Sequence, residues 1–199
     1  LPDDPGWLDQ PAAPAPALGV GMSDLADLWR LRPVRASDLD AIAAMQEISI
    51  MALGAPVYGE DKARAWARLG YQFRYDLLGE GAFWVAEQEE RIIGVGGWSP
   101  DSSEADLAWI RYLFVHPGAT RRGIARQLVA CAERSAGAAG RPRLRVWSSL
   151  NATGFYRAVG FMPERRARWP VRTGIELDYV LMGKRAEEGT PAREEPTPG

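Results

Sequence analysis

The stretch ADLAWIRYLFVHPGATRRGIARQLV, Ala105 to Val129, changes its period once, and that change organises the chain. Up to Val115 it is the strongest strand signal in the sequence, rich in β-branched, aromatic and aliphatic residues. His116, Pro117 and Gly118 end the strand. From Arg122 the spacing becomes helical, with Ile124, Leu128, Cys131 and Ser135 on one face and Arg126 and Glu133 on another. A helix opens with backbone N–H groups that lack intrahelical partners, at the positive end of its dipole. Gly123 and Ala125 leave room for close approach, and Arg121, Arg122 and Arg126 add charge. The turn is either a cradle for a phosphate-like anion or a solvated helix start with ordinary surface arginines. Its glycines fit neither the Gly-Lys-Ser/Thr phosphate loop nor Gly-x-Gly-x-x-Gly.

Outward from this stretch, WRLRPVRASDLDAI reads as a strand running into a helix, with Ser37 and Asp40 in a capping-box pattern. A second helix is expected over Asp61 to Leu78. Ala82–Gln88 and Arg91–Ser99 form a hairpin pattern of β-formers around a short polar link. Downstream, RLRVWS is a strand, LNATGFYRAV a short helix and IELDYVLMGK a closing strand. The order β-α-α-β-β-β-α-β-α-β predicts an α/β fold with a mixed, mostly antiparallel sheet flanked by helices, one strand pair being parallel. A doubly wound parallel sheet does not fit.

Composition narrows the function classes. With 199 residues the chain is long enough for one domain with a real core, and 46% hydrophobic content supports that. A formal net charge of -2 argues against a general nucleic-acid surface. One cysteine, Cys131, and one histidine, His116, exclude a disulfide framework and argue against a metal site. No apolar run approaches the ~18 residues of a membrane span, so no spanning segment, a cytoplasmic location and no membrane partner are expected. Lys62 and Lys184 are the only lysines among 24 basic residues, and Ala, Gly and Pro are heavily used, as in GC-rich bacterial genomes. Residues 1–24 and 186–199 are Pro/Ala-rich or polar without periodicity and are expected to be disordered or extended, leaving residues 25–185 as the domain. The first segment lacks the charged start and apolar core of a secretory leader, and Met22 is a candidate start.

WIRYLFVHPGATRRGIARQLV, followed by a strand and then FYRAVGF, resembles the GNAT superfamily of N-acetyltransferases. Two motifs carry the resemblance: strand, Gly-x-Gly/Ala loop and helix, and then a Tyr-x-x-x-Gly-Phe segment. It covers roughly 150 residues, element order included. It implies a GNAT-like sheet whose parallel strands splay apart, and acetyl-coenzyme A as co-substrate. The backbone of Leu113, Phe114 and Val115 would pair with the pantetheine arm, and the diphosphate would sit on the amides of Arg121, Arg122, Gly123, Ile124, Ala125 and Arg126. Tyr156 matches the tyrosine that protonates the departing thiolate; otherwise it is a core tyrosine pinning its helix to the sheet. His-Pro at 116–117 is common in the family as the strand exit, which leaves His116 a poor candidate for general base. Cys131 reads as core.

The chain departs from the family pattern at three places. The Gln/Arg position of the loop is Thr120. The cofactor-holding asparagine falls on Ser149, which also suits a helix cap, while Asn151 is displaced by two positions. The glutamate that many members use as general base is replaced by Trp109, leaving Asp106, Glu104 and Glu47 as unranked substitutes acting through water. Strand alternation puts Arg111 beside Trp109 in the substrate pocket. There Arg111 either pairs with a nearby acid or favours a substrate bearing a carboxylate or phosphate. Acetyl transfer to a primary amine of a small molecule is the expected function, by direct attack in a ternary complex and without a metal. A non-catalytic acyl-coenzyme A-binding module and a protein-interaction scaffold are the alternatives. The protein is expected to be a monomer or homodimer. Eight tryptophans, Trp66, Trp84, Trp98 and Trp109 among them, hint at an aromatic pocket.

Overall fold

A computed structural model describes residues 29–69, 79, 82–172 and 174–185. Seven strands form one sheet: β1 (Arg30–Pro33), β2 (Ala82–Gln88), β3 (Arg91–Pro100), β4 (Leu107–Val115), β5 (Arg143–Ser149), β6 (Met162–Arg172) and β7 (Ile175–Arg185). Their spatial order is β1-β2-β3-β4-β5-β7-β6, and every neighbour is antiparallel except the β4–β5 pair. Helices cover both faces: α1 (Leu39–Ser49), α2 (Ala55–Tyr58), α3 (Glu60–Leu69), α4 (Ile124–Ala138) and α5 (Thr153–Ala158). The mixed, mostly antiparallel sheet with one parallel pair is the expected architecture. The proposed domain ends, residues 1–24 and 186–199, lie outside the described residues, as does the second helix beyond Leu69 as far as Leu78.

The strand β6 departs from the sequence reading, which passed from the short helix directly to the closing strand. MPERRARWPVR carries five charged residues and two prolines, and its side chains are mostly exposed. An edge strand tolerates both features, because one of its sides needs no ladder partner. Its pairing with β7, from Met162↔Gly183 to Arg172↔Ile175, supplies the order that its own composition lacks.

Two cores sandwich the sheet. On the α4 side, Ala108 and Ile110 of β4, Leu144 and Val146 of β5, and Val180 and Met182 of β7 pack with Val129, Ala132, Ala136, Tyr156 and Phe161. On the α1 side, Ile42 and Met45 pack against Phe83, Val85 and Val95, while Ala65 of α3 meets Val171 and Leu177. The buried stripe of α4 is Ile124, Leu128, Val129, Ala132 and Ala136, one position round from the expected Cys131 and Ser135. Cys131 is half-buried on the shoulder of the helix, where Arg134 Nη2 reaches its Sγ at 3.2 Å.

Ala36–Tyr58 is one continuous helical run, with a π turn at Ile50–Gly54, and by length and average composition it could cross a membrane. The sequence reading missed it because Asp38, Asp40, Gln46 and Glu47 interrupt the apolar residues. In the fold, Ile42, Met45 and Ile50 of this run are buried against neighbouring elements, whereas Ile48, Leu53 and Val57 are exposed.

Candidate active site

β4 and β5 pair only at Leu107↔Arg143, Ala108↔Leu144 and Trp109↔Arg145. Beyond Trp109 they diverge, and Ile110–Val115 keep only β3 as a neighbour. A β-bulge accentuates the divergence. Tyr112 has φ +55°, and Val95↔Phe114 and Gly97↔Arg111 leave Gly96 facing two residues. A bulge adds local twist and re-aims side chains. Gly96 permits it, since a Cβ there would meet Leu113 Cδ1 at 2.8 Å. The alternation shifts accordingly: Ala108 and Ile110, then Leu113 and Val115, pack on the α4 side, while Tyr112 and Phe114 pack toward α1. The strand offered as a pairing edge is therefore held open by the backbone itself.

The wedge leads to the N-terminus of α4. His116 caps the short turn after β4, its Nδ1 accepting from the Gly118 amide at 3.2 Å, which gives the chain's only imidazole a structural job. Thr120 donates from Oγ1 to the Pro117 carbonyl. Arg121 (φ +65°) and Gly123 (φ +81°) adopt left-handed backbone, which curls the amides ahead of α4 into a concave turn. Gln127 N–H is bonded to the Gly123 carbonyl, and the preceding amides have no intrahelical acceptor. No atom lies within 4 Å of a would-be Cβ at Gly123, so a bulky anion has clear access. Arg122 Nη1 bonds Gln88 Oε1 at 3.1 Å, and Arg126 Nη2 reaches the Ala158 carbonyl at 3.5 Å, tying α4 to the end of α5. The donor set fits a diphosphate.

Across the wedge, Tyr156 of α5 packs with Ile110 of β4 and Val146 of β5, and lies edge-on to Phe155 and Phe161. Burial pushes its phenol well above the ordinary range, so the group stays protonated. Ser149 occupies the N-cap position of the turn Leu150–Ala152 but makes no side-chain capping bond, contrary to expectation. Its carbonyl instead accepts from Thr153 Oγ1 at 3.3 Å and from Ser148 Oγ at 2.9 Å. Asn151 is exposed in the same turn.

The α1 side of the wedge is aromatic. Trp109 stacks on Trp147, with centroids 6.3 Å apart and planes within 9°. Trp66, Tyr58, Phe114 and Tyr179 form a second cluster under α2 and α3. Trp98, by contrast, is core, and Trp84 packs against the α4-side core. Sequence reasoning missed three participants here. Tyr58 donates to the Asp178 carbonyl and accepts from the Leu150 amide, both at 2.7 Å, and burial lifts its phenol to about 12. Trp147 sat in a strand too short to orient. Asp101 accepts from Trp109 Nε1 at 2.7 Å and from the Ser103 and Glu104 amides at 2.8 Å. Those bonds, the indole's foremost, hold its carboxyl down at about 2, which makes it a poor base.

The three acids considered as substitute bases are no better placed. Glu104 pairs with Arg143 at 2.8 Å and Arg145 at 3.4 Å, and Asp106 with Arg143 at 3.1 Å. Glu47 is exposed on α1. Among the described residues no three His, Cys, Asp or Glu side chains cluster to hold a metal.

Residues 79–163 match the family model for the acetyltransferase (GNAT) domain. A crystal structure of the GCN5-related N-acetyltransferase from Rhodopseudomonas palustris superposes with a TM-score of 0.68 at 28% identity, covering 78% of this chain and 94% of that one. PaiA N-acetyltransferase from Thermoplasma acidophilum, solved in complex with coenzyme A, shares the fold with TM-score 0.64 and 20% identity over 79% and 98% of the two chains. So does YncA from Salmonella typhimurium, solved with its cofactor acetyl-CoA, with TM-score 0.58 and 18% identity over 83% and 99%. A comparison with curated proteins gives no match. Residues 79–163 thus match a GNAT acetyltransferase domain, and the fold as a whole is similar to that of the GNAT structures.

Proposed function

We propose that the protein transfers an acetyl group from acetyl-coenzyme A to a primary amine of a small molecule, by direct attack within a ternary complex. The observation that carries this reading is the wedge opening after Trp109↔Arg145 and ending on the α4 N-terminus. The backbone of Leu113, Phe114 and Val115 pairs with the pantetheine arm, and the amides from Arg121 to Arg126 take the diphosphate. Ser149 and Asn151 flank the arm from the β5 side. Trp109 and Arg111 border the acceptor.

The amine nitrogen forms its bond to the acetyl carbon while backbone N–H groups of β4 polarise the carbonyl. The carbon–sulfur bond breaks, Tyr156, kept protonated by burial, gives its proton to the thiolate, and its phenolate regains one from water. The proton released from nitrogen passes to water, since Trp109 replaces the usual base and the nearby acids are ion-paired or hydrogen-bonded. Positioning supplies most of the acceleration.

The test combines binding with turnover. Coenzyme A should raise the melting temperature by mass action, and pantetheine lacking the diphosphate should do so far less. Gly123→Asn and Gly123→Asp both tolerate left-handed backbone, but only the aspartate repels the diphosphate, so Gly123→Asp should lose the larger share of coenzyme A stabilisation. Thiol release from acetyl-coenzyme A should appear with some member of an amine panel. Equal stabilisation by coenzyme A and pantetheine would overturn the diphosphate assignment. Coenzyme A binding without turnover of any amine would make the protein a binding module, and no binding at all would leave a scaffold.

A further inference from the structure

We infer that the acceptor amine carries an acid group, a carboxylate or phosphate, on a flat apolar body, and that Arg111 selects it. This rests on the acetyl-transfer reading above. On the α1 side of the sheet, Trp109 and Trp147 stack across the point where β4 leaves β5. Trp169 of the edge strand β6 meets Trp147 edge-on at 6.0 Å and is 54% exposed. Two guanidiniums lie on this row of indoles, Arg111 over Trp109 at 5.8 Å and Arg165 over Trp147 at 4.9 Å. A guanidinium lying on an aromatic face keeps its in-plane N–H donors available and matches a planar acid group.

Charge accounting singles these two arginines out. Arg143 and Arg145, nearby on β5, are neutralised by Glu104, Asp106 and Glu164. Asp101 is taken up by the Trp109 indole and two backbone amides. Arg111 spends its Nε–H on Ser99 Oγ at 3.0 Å, and its remaining donors meet no carboxylate among the described residues; nor do those of Arg165. Arg111 also stands two residues past the last β4–β5 pair, beside the mouth of the wedge. An acid group docked there would bring the amine of a short substrate to the wedge, while the indoles receive its flat body. Between the two readings of Arg111 that the sequence left open, the geometry favours the substrate over a neighbouring acid.

The test uses three aromatic amines: phenylalanine, its neutral isostere phenylalanine amide, and tyramine phosphate, whose acid group lies across the ring from the amine. Calorimetry on the full chain, with and without coenzyme A, reads their affinities, and thiol release from acetyl-coenzyme A reads turnover. Phenylalanine or tyramine phosphate should bind roughly ten-fold or more tightly than the neutral amide, as expected for hydrogen bonds to a charged group. Whichever acid binds better identifies the acid group. Arg111→Gln should reduce that preference to near unity and raise KM for the acid more than it lowers kcat. Arg165→Gln should reduce it by a smaller factor. Equal affinities for acid and amide, a preference intact in Arg111→Gln, or no binding of any of the three would overturn the inference. An Arg111-dependent acid preference, with no thiol release from these or any other amine of the panel, would uphold Arg111 as the acid-selecting residue and sink the acetyl-transfer reading. Acetylation of all three with equal kcat/KM would do the reverse.

Discussion

The Tyr156 ring lies edge-on to Phe155 and Phe161, so losing the ring and losing its hydroxyl are different experiments. Tyr156→Phe keeps the packing. If the phenol protonates the departing thiolate, kcat should fall roughly ten-fold or more, since general acids contribute ~10²–10⁴-fold. Coenzyme A affinity should hardly change, because the hydroxyl acts as charge develops on sulfur. Unchanged turnover in the folded variant, with chemistry rate-limiting, would leave Tyr156 a packing residue. Burial raises this phenol above its ordinary value, so its deprotonation should not cause an alkaline loss of rate below about pH 10. Single residues were legible where chemistry limits the choices. His116 could be set aside as a strand exit, and it caps Gly118. Asp101 and Trp147 were not legible, because their roles depend on which strands lie beside them.

Among the elements, the join of β1 to α1 is held by charge. Arg32 bonds Asp38 at 2.7 and 3.0 Å and Glu87 at 2.6 Å, with Arg30 on the other oxygen of Glu87. The Asp38 carboxylate also accepts the Arg35 amide, capping the first turn of the helical run. Arg32 above all holds the Asp38 carboxyl below its ordinary value, and Arg30 followed by Arg32 does so for Glu87. Because both folded values are depressed, their contribution is present above the ordinary carboxylate range and is lost as pH falls below about 4. Asp38→Asn should cost roughly 2 kcal/mol at pH 7 by leaving Arg32 under-paired, and should flatten the loss of stability between pH 5 and 3. Urea melts at several pH values check this, and an unaltered pH slope in the variant would refute it. Periodicity exposed β4 and α4 from sequence because each has a strongly one-sided pattern. It missed β6, whose residues are chosen for a solvated edge, and it misplaced the α4 stripe by one position because Cys131 and Ala132 differ little in apolar character.

For the molecule as a whole, the sequence revealed the architecture and the strand–turn–helix that joins β4 to α4, since both follow from local pattern. It did not reveal the bulge at Tyr112, which arises from glycines on the neighbouring strand, nor the row of indoles, which draws on β4, β5 and β6. The seam between β4 and β5 has a mechanical consequence. The sheet amounts to two plates, β1 to β4 and β5 with β7 and β6, stitched directly by three residue pairs. Plates joined so near one end should breathe at the other, and a pantetheine arm laid along β4 would act as the missing thread. Within Ile110–Val115, amides that face the wedge rather than β3 should therefore exchange fast in the free protein and slowly with coenzyme A, while the β1–β2 ladder changes little. Uniform slowing throughout the sheet would mean that the seam does not hinge.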